Sequence, residues 1–258
     1  MPEIVFSIII PFVGTLLGSA LIFLIKRINS TLLKIFSGFA GGVMIAASIW
    51  SLIIPAVEAS ESMGKLSFLP VIIGLWLGFA FLLLLDKVIP HMHTNSDEAE
   101  GPKSNLKKST MTSLAVALHN LPEGIAVGVV LASSQTQSTG VTISMAIALA
   151  IGIAIQNFPE GAIVSVSLNS AGINKPKSFL LGVLSGIVEP LGALITMLLV
   201  NIIHPALPYL LSFAAGAMIY VVIEELIPEM VKGKHSHIGT IFFAIGFSLM
   251  FILEVVIG

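Results

Sequence analysis

The chain has 258 residues, of which 12 are basic and 14 acidic, and 56% are hydrophobic, with a mean hydropathy of +1.04. Soluble domains carry about 25% charged residues against the 10% found here, and a water-soluble fold of this length has no means of hiding so much apolar surface. The net charge of -2 excludes a basic field for nucleic acid, and the absence of cysteine excludes disulfides, thiolate ligands and cysteine nucleophiles.

Crossing about 30 Å of hydrocarbon takes about 20 apolar helical residues. Eight such runs occur, near 4–25, 35–56, 68–89, 110–132, 141–168, 178–201, 207–228 and 238–257. None shows the period-two alternation of a membrane β-barrel. The predicted fold is therefore all-α, an integral membrane protein with eight transmembrane helices. The first run has no basic residue before it and is followed by Lys26 and Arg27, the reverse of a cleavable signal peptide, which predicts an outside N-terminus. Lys34 adds to that loop. Lys87, Lys103, Lys107 and Lys108 follow the third run, Lys175 and Lys177 the fifth, and Lys232 and Lys234 the seventh. Thus 11 of the 12 basic residues fall on one side, and only Lys65 on the other. Both termini are expected outside a cell (plasma or inner) membrane. The long polar connection at 90–109, HMHTNSDEAEGPKSNLKKST, is expected to be a cytoplasmic loop carrying His91 and His93, which read equally as a metal-capture pair on the metal path or as solvated loop residues. Residues 1–258 otherwise read as a single transmembrane domain with no soluble catalytic module.

The chain repeats itself. Phe39-Ala-Gly-Gly-Val-Met-Ile45 in the second run matches Phe213-Ala-Ala-Gly-Ala-Met-Ile219 in the seventh, and each runs on to a proline, Pro55 or Pro228. GFAFLLLLDKVI from Gly78 in the third run matches GFSLMFILEVVIG from Gly246 in the eighth. HNLPEG at 119–124 in the fourth run matches QNFPEG at 156–161 in the fifth. Helices 1–3 thus correspond to helices 6–8 around a central pair. A 3+2+3 arrangement turns the second triplet over in the membrane, and such inverted repeats place a transporter's substrate at mid-depth, where the halves meet.

Glu123, Glu160 and Glu189 lie well inside apolar runs, where a charge costs roughly 2.5–3.5 kcal/mol, and no Lys or Arg shares those runs. A cation or protons must compensate for them. His119 and Glu123 are four residues apart and share a helix face, with Asn120 adjacent; Gln156, Asn157 and Glu160 repeat the pattern. Pro122 and Pro159 free the carbonyls of Leu118 and Ile155 at the same depth. Imidazole, amide and carboxylate groups without a positive side chain suit a borderline or hard divalent metal, and two facing carboxylates can bridge two ions. A thioether such as that of Met44 is ordinarily core filler. Asp86 and Glu254, near run ends, are expected to reach interfacial water.

HNLPEG followed by QNFPEG resembles the ZIP (Zrt/Irt-like) family of divalent metal transporters, most closely its prokaryotic branch with Gln in the second motif. The resemblance covers the whole chain. It implies a binuclear site between helices 4, 5 and 6, with Zn²⁺ as the first expectation and Fe²⁺, Mn²⁺ and Cd²⁺ as further cargo. One metal would use Met44, His119, Glu123, Gln156 and Glu160. The other would use Asn120, Glu123, Asn157, Glu160 and Glu189, with Glu123 and Glu160 bridging. Ser51 and Glu225 match polar residues along the family's metal path, and the family implies a homodimer. It also implies an elevator motion in which helices 1, 4, 5 and 6 slide against 2, 3, 7 and 8. Asn157 stands where some relatives have Asp, which predicts a weaker second position. A metal-selective channel on the same residues is one alternative. An intramembrane metallohydrolase is another, but it would call for an H-E-x-x-H pairing, and His119 is followed by Asn120 with no His four residues on.

Overall fold

The computed structural model describes residues 1–25, 27–92, 101–135, 140–200, 206–233 and 235–258, with every side chain among them except those of residues 108 and 200. These residues form eight helices long and apolar enough to cross a membrane: α1 (Pro2–Phe23), α2 (Ser30–Glu58), α3 (Phe68–Val88), α4 (Ser109–Ser134), α5 (Ile143–Ser170), α6 (Lys175–Leu199), α7 (Leu207–Val231) and α8 (Ile238–Val256). The chain is a multi-pass, all-helical membrane protein. Two helices start earlier than their apolar runs because a polar cap begins them. Asn29 accepts from the Leu32 amide at 2.8 Å ahead of α2, and Asn174 accepts from the Lys177 amide at 3.0 Å ahead of α6.

Burial sorts the helices into an inner and an outer set. α4 is the most buried, at 78% of its apolar window, and α8 the least, at 22%; α2, α5 and α7 belong with α4, and α1, α3 and α6 with α8. Each inner helix packs mainly on one outer helix, giving the pairs α1 with α5, α2 with α8, α3 with α7, and α4 with α6. The outer helices expose large apolar side chains such as Trp76, Leu198 and Val256. In water that belt would drive aggregation; lipid matches it, because all the helical backbone bonds are made internally.

Glycines set how closely the pairs approach. A Cβ on Gly42 would strike the Phe243 carbonyl oxygen, and one on Gly246 that of Phe39. In the α3–α7 pair, a Cβ on Gly216 would strike the Leu75 carbonyl oxygen, and one on Gly78 that of Phe213. These are corresponding positions of the repeated motifs, so the same two backbone contacts occur in both pairs. Gly246→Leu is expected to destabilise the protein by at least about 1–3 kcal/mol, the ordinary cost of overpacking, since backbone rather than a flexible side chain blocks it. Thermal unfolding in detergent should show this, while Ile245→Ala on the lipid face leaves the transition nearly unmoved.

α2, α6 and α7 are irregular within their spans. α2 widens into a π-helix over Ser48–Ile53 and α7 over Val222–Leu226. Each segment lies just before a proline, Pro55 or Pro228, whose missing amide hydrogen leaves the carbonyl four residues back without its usual donor. Ser51 and Glu225 sit in these segments. α6 is interrupted at Ile187, between Lys175–Gly186 and Val188–Val200, so Glu189 stands in the first turn of the second half.

Candidate metal centre

α4 and α5 remain helical through Pro122 and Pro159. Asn120 and Glu123 therefore stay about one turn apart, as do Gln156 and Glu160. The structure brings five of the eight expected ligands into one buried network between α4, α5 and α6. Gln156 Nε2 donates to Glu123 Oε1 and reaches Asn157 Oδ1 at 2.5 Å. Asn157 Nδ2 donates to Glu189 Oε2 at 2.9 Å, and Asn120 Nδ2 donates to Glu189 Oε1 at 3.0 Å. Asn120 Nδ2 also lies 3.3 Å from the Ser185 carbonyl, beside the interruption in α6. None of the five is more than 1% exposed, so water does not solvate them.

A sixth member comes from α1. Thr15 Oγ1 donates to Glu189 Oε1 at 2.8 Å, and both residues are buried. The backbone at Pro11 also accepts from Asn157 Nδ2, at 3.5 Å. Sequence reasoning missed Thr15, because Ser7, Thr15 and Ser19 of the same apolar run read alike, each able to bond within its own helix.

The other expected ligands lie beside this network. His119 Nδ1 is paired with the Glu225 carboxylate, which joins α4 to α7. Glu160 lines a small pocket together with His119, Glu225 and Glu229, walled by Val116 and Val164. Met44 is buried in the apolar core on α2. Glu229 was also not singled out from sequence. It accepts from Ser37 Oγ at 2.8 Å, and its spacing of four from Glu225 on a helix was the available signal.

Among the described residues, no three His, Asp or Glu side chains stand ready as a metal cluster. Amides are interleaved with the carboxylates instead, and their N–H groups occupy carboxylate oxygens. Three acceptor oxygens nevertheless remain buried without a hydrogen-bond partner: Asn120 Oδ1, Glu123 Oε2 and Gln156 Oε1. An unsatisfied buried acceptor costs about 1–3 kcal/mol. A cation satisfies such oxygens directly, and an amide turned about its last torsion presents its oxygen where its nitrogen stood. The oxygen-rich donor set, with one imidazole adjacent, fits a borderline or hard divalent ion.

The expected path residues separate. Ser51 donates to Glu254 across α2 and α8, with no hydrogen bond to the α4–α6 network among the described residues. Glu254, expected at interfacial water, is only 9% exposed. Ser51, in the π-helical turn of α2, donates to its carboxylate. His91 is fully buried rather than solvated. Its Nδ1 lies 2.8 Å from the Ile89 carbonyl, and its Nε2 lies 3.6 Å from Asp86 Oδ1, where Tyr220 donates to Asp86 Oδ2 at 2.5 Å. His93 lies outside the described residues. His235 and His237 are exposed, with their rings 4.9 Å apart and perpendicular.

A family model described as ZIP Zinc transporter matches residues 108–254. The human protein named Zinc transporter ZIP11 is 32% identical over 95% of this chain and 94% of its own length. Zinc transporter ZIPB of Bordetella bronchiseptica is 34% identical over 96% of this chain and 79% of its own length. Zinc transporter ZupT of Streptococcus mutans is 33% identical, covering 86% of this chain and 85% of its own length. The similar proteins thus come from both bacteria and animals.

Proposed function

The chain belongs to the ZIP zinc transporter family, and from that premise we propose that it carries Zn²⁺ into the cytoplasm across the plasma or inner membrane through a binuclear site between α4, α5 and α6. The observation that carries this reading is the set of buried, donorless oxygens on Asn120, Glu123 and Gln156, deep in helices that are otherwise apolar. One ion is held by His119, Glu123, Gln156 and Glu160 with Met44. The other is held by Asn120, Glu123, Asn157, Glu160 and Glu189. Fe²⁺, Mn²⁺ and Cd²⁺ suit the same donors and are further cargo.

Without metal, the amides Asn120, Gln156 and Asn157 stand in for the cation by donating N–H groups to Glu123 and Glu189. Metal entry turns their oxygens inward. It also draws His119 from Glu225, which loosens one link between α4 and α7. The pocket that begins at His119 and Glu160 and ends at Glu229 runs toward the helix ends that carry the basic loops. By the positive-inside rule this is the cytoplasmic side, so the pocket is an exit.

The carrier is a single transmembrane domain over 1–258, with both termini outside and 90–109 as a cytoplasmic loop bearing His91 and His93. The equivalent glycine contacts of the α2–α8 and α3–α7 pairs support an inverted repeat relating α1–α3 to α6–α8. The pairs α1–α5 and α4–α6 then form the sliding unit of an elevator, and α2–α8 and α3–α7 its frame, with a homodimer as the assembly. Radiolabelled zinc uptake into proteoliposomes tests the function. Saturable uptake supports it, and no uptake above empty vesicles would overturn it. Carboxylate and imidazole ligands bind metal only when deprotonated. The KM for zinc is therefore expected to rise as the solution on the entry side is acidified, which initial rates at several pH values would reveal.

A further inference from the structure

We infer that Thr15 is a positioning residue of the transport site: its hydroxyl fixes the carboxylate of Glu189 and thereby sets the affinity of the metal position that Glu189 serves. This rests on the reading of the α4–α6 network as the transport site.

Four observations lead to Thr15. Its Oγ1 lies 2.8 Å from Glu189 Oε1, across 174 residues of sequence. Both side chains are 1% exposed, so no water competes for that bond. Space for the contact depends on Gly186, where a Cβ would come within 2.7 Å of Thr15 Cγ2 and 3.0 Å of Glu189 Oε1. Finally, α6 tightens at Ile187, whose amide donates to the Leu184 carbonyl at 3.3 Å, and Glu189 follows two residues on with both carboxylate oxygens held by side-chain contacts. Those contacts are Thr15 and Asn120 on Oε1 and Asn157 on Oε2.

The three donors differ in what metal binding does to them. Asn120 and Asn157 are themselves expected ligands, and turning their oxygens to an ion withdraws their N–H groups from Glu189. Thr15 is not an expected ligand, and its hydroxyl can go on donating to Oε1 while Oε2 meets the ion. It therefore remains to orient the carboxylate in the loaded site. Its backbone is fixed for this purpose. A Cβ on Gly14 would strike the Ala154 carbonyl, one on Gly18 that of Phe158, and one on Gly161 that of Thr15 itself, so α1 and α5 touch along their backbones around the residue. Those close backbone contacts keep the Thr15 hydroxyl within reach of Glu189 Oε1.

The test compares Thr15→Val, which keeps the shape and loses the donor, with Thr15→Ser, which keeps the donor. Zinc uptake is measured in proteoliposomes and zinc stoichiometry on the purified protein. Loss of one hydrogen bond to a charged group is expected to raise the KM of Thr15→Val about tenfold, with the maximal rate changed less than about twofold, and to weaken the second zinc equivalent by a similar factor. Thr15→Ser restores both values to within about twofold, which a merely space-filling role would not do. If Thr15→Val lowers the metal-free melting temperature, Thr15→Ala against Thr15→Ser makes the same comparison without the added methyl group. Unchanged KM and stoichiometry in Thr15→Val, or equal impairment in the Ser and Val variants, would overturn the inference. Glu123→Ala run alongside separates the two levels. Uptake retained there removes the transport site itself, whereas uptake lost there with Thr15→Val unaffected removes only the role of Thr15.

Discussion

Glu123→Ala is expected to reduce zinc uptake by more than about 100-fold, beyond the 10- to 100-fold typical of removing a partner one step away from a metal. Glu123 is the residue proposed to serve both metal positions, and one of its oxygens is already occupied by Gln156 while the other is buried and donorless. Truncation removes the negative charge that draws a dehydrated ion into an apolar environment, and no neighbouring carboxylate on α4 can replace it. The fold should survive, because the glycine contacts between α4 and α6 do not involve this side chain. The measurement is zinc uptake in vesicles with the melting temperature as control. A folded variant that keeps full uptake would remove Glu123 from the transport path.

Asn157→Asp is expected to act in the opposite direction. Asn157 Nδ2 donates to Glu189 Oε2 at 2.9 Å. An Asp there replaces a donor with an acceptor and sets two carboxylates against each other in a buried site, a juxtaposition that favours any cation able to lie between them. The metal-free protein should melt at a lower temperature, and zinc should raise that temperature by more than it does in the parent chain. The second zinc equivalent should bind about 30-fold more tightly, corresponding to roughly 2 kcal/mol for a charge-assisted contact. Thermal shift with zinc titration checks both parts. An unchanged zinc-dependent shift would place Asn157 outside the second position.

The eight helices were legible because lipid imposes a simple demand: about 20 apolar residues per span, with each backbone bond made internally. Helix starts were less legible, since Asn29 and Asn174 act through single capping bonds rather than through hydropathy. The doubled motif pointed to Asn120, Glu123, Gln156 and Asn157 because polar residues are costly at that depth, and a costly residue repeated at a fixed spacing stands out. Thr15 gave no such sign. A hydroxyl can bond within its own helix, so Thr15 reads like Ser7 and Ser19 of the same run whether or not it serves a distant carboxylate. The pairings of Ser51 with Glu254 and of His119 with Glu225 were hidden for another reason. Ser51 and Glu225 lie in π-helical turns of α2 and α7, where the ordinary helical spacing does not hold, and the prolines that accompany those turns do not by themselves specify them. His91 reads as a metal-capture or a solvated loop residue because it belongs to a polar segment, yet the chain folds it back against Asp86 at the end of α3.

Zinc is proposed to occupy the buried network between α4, α5 and α6. Anomalous scattering from crystals soaked with zinc tests it most directly. A strong peak is expected between Glu123, Gln156 and Glu160, and a weaker one beside Asn120, Asn157 and Glu189, with the two about 3.5–4 Å apart as bridged ions are. Zinc found only at exposed sites such as His235 and His237, with the network left as amide–carboxylate hydrogen bonds, would contradict it.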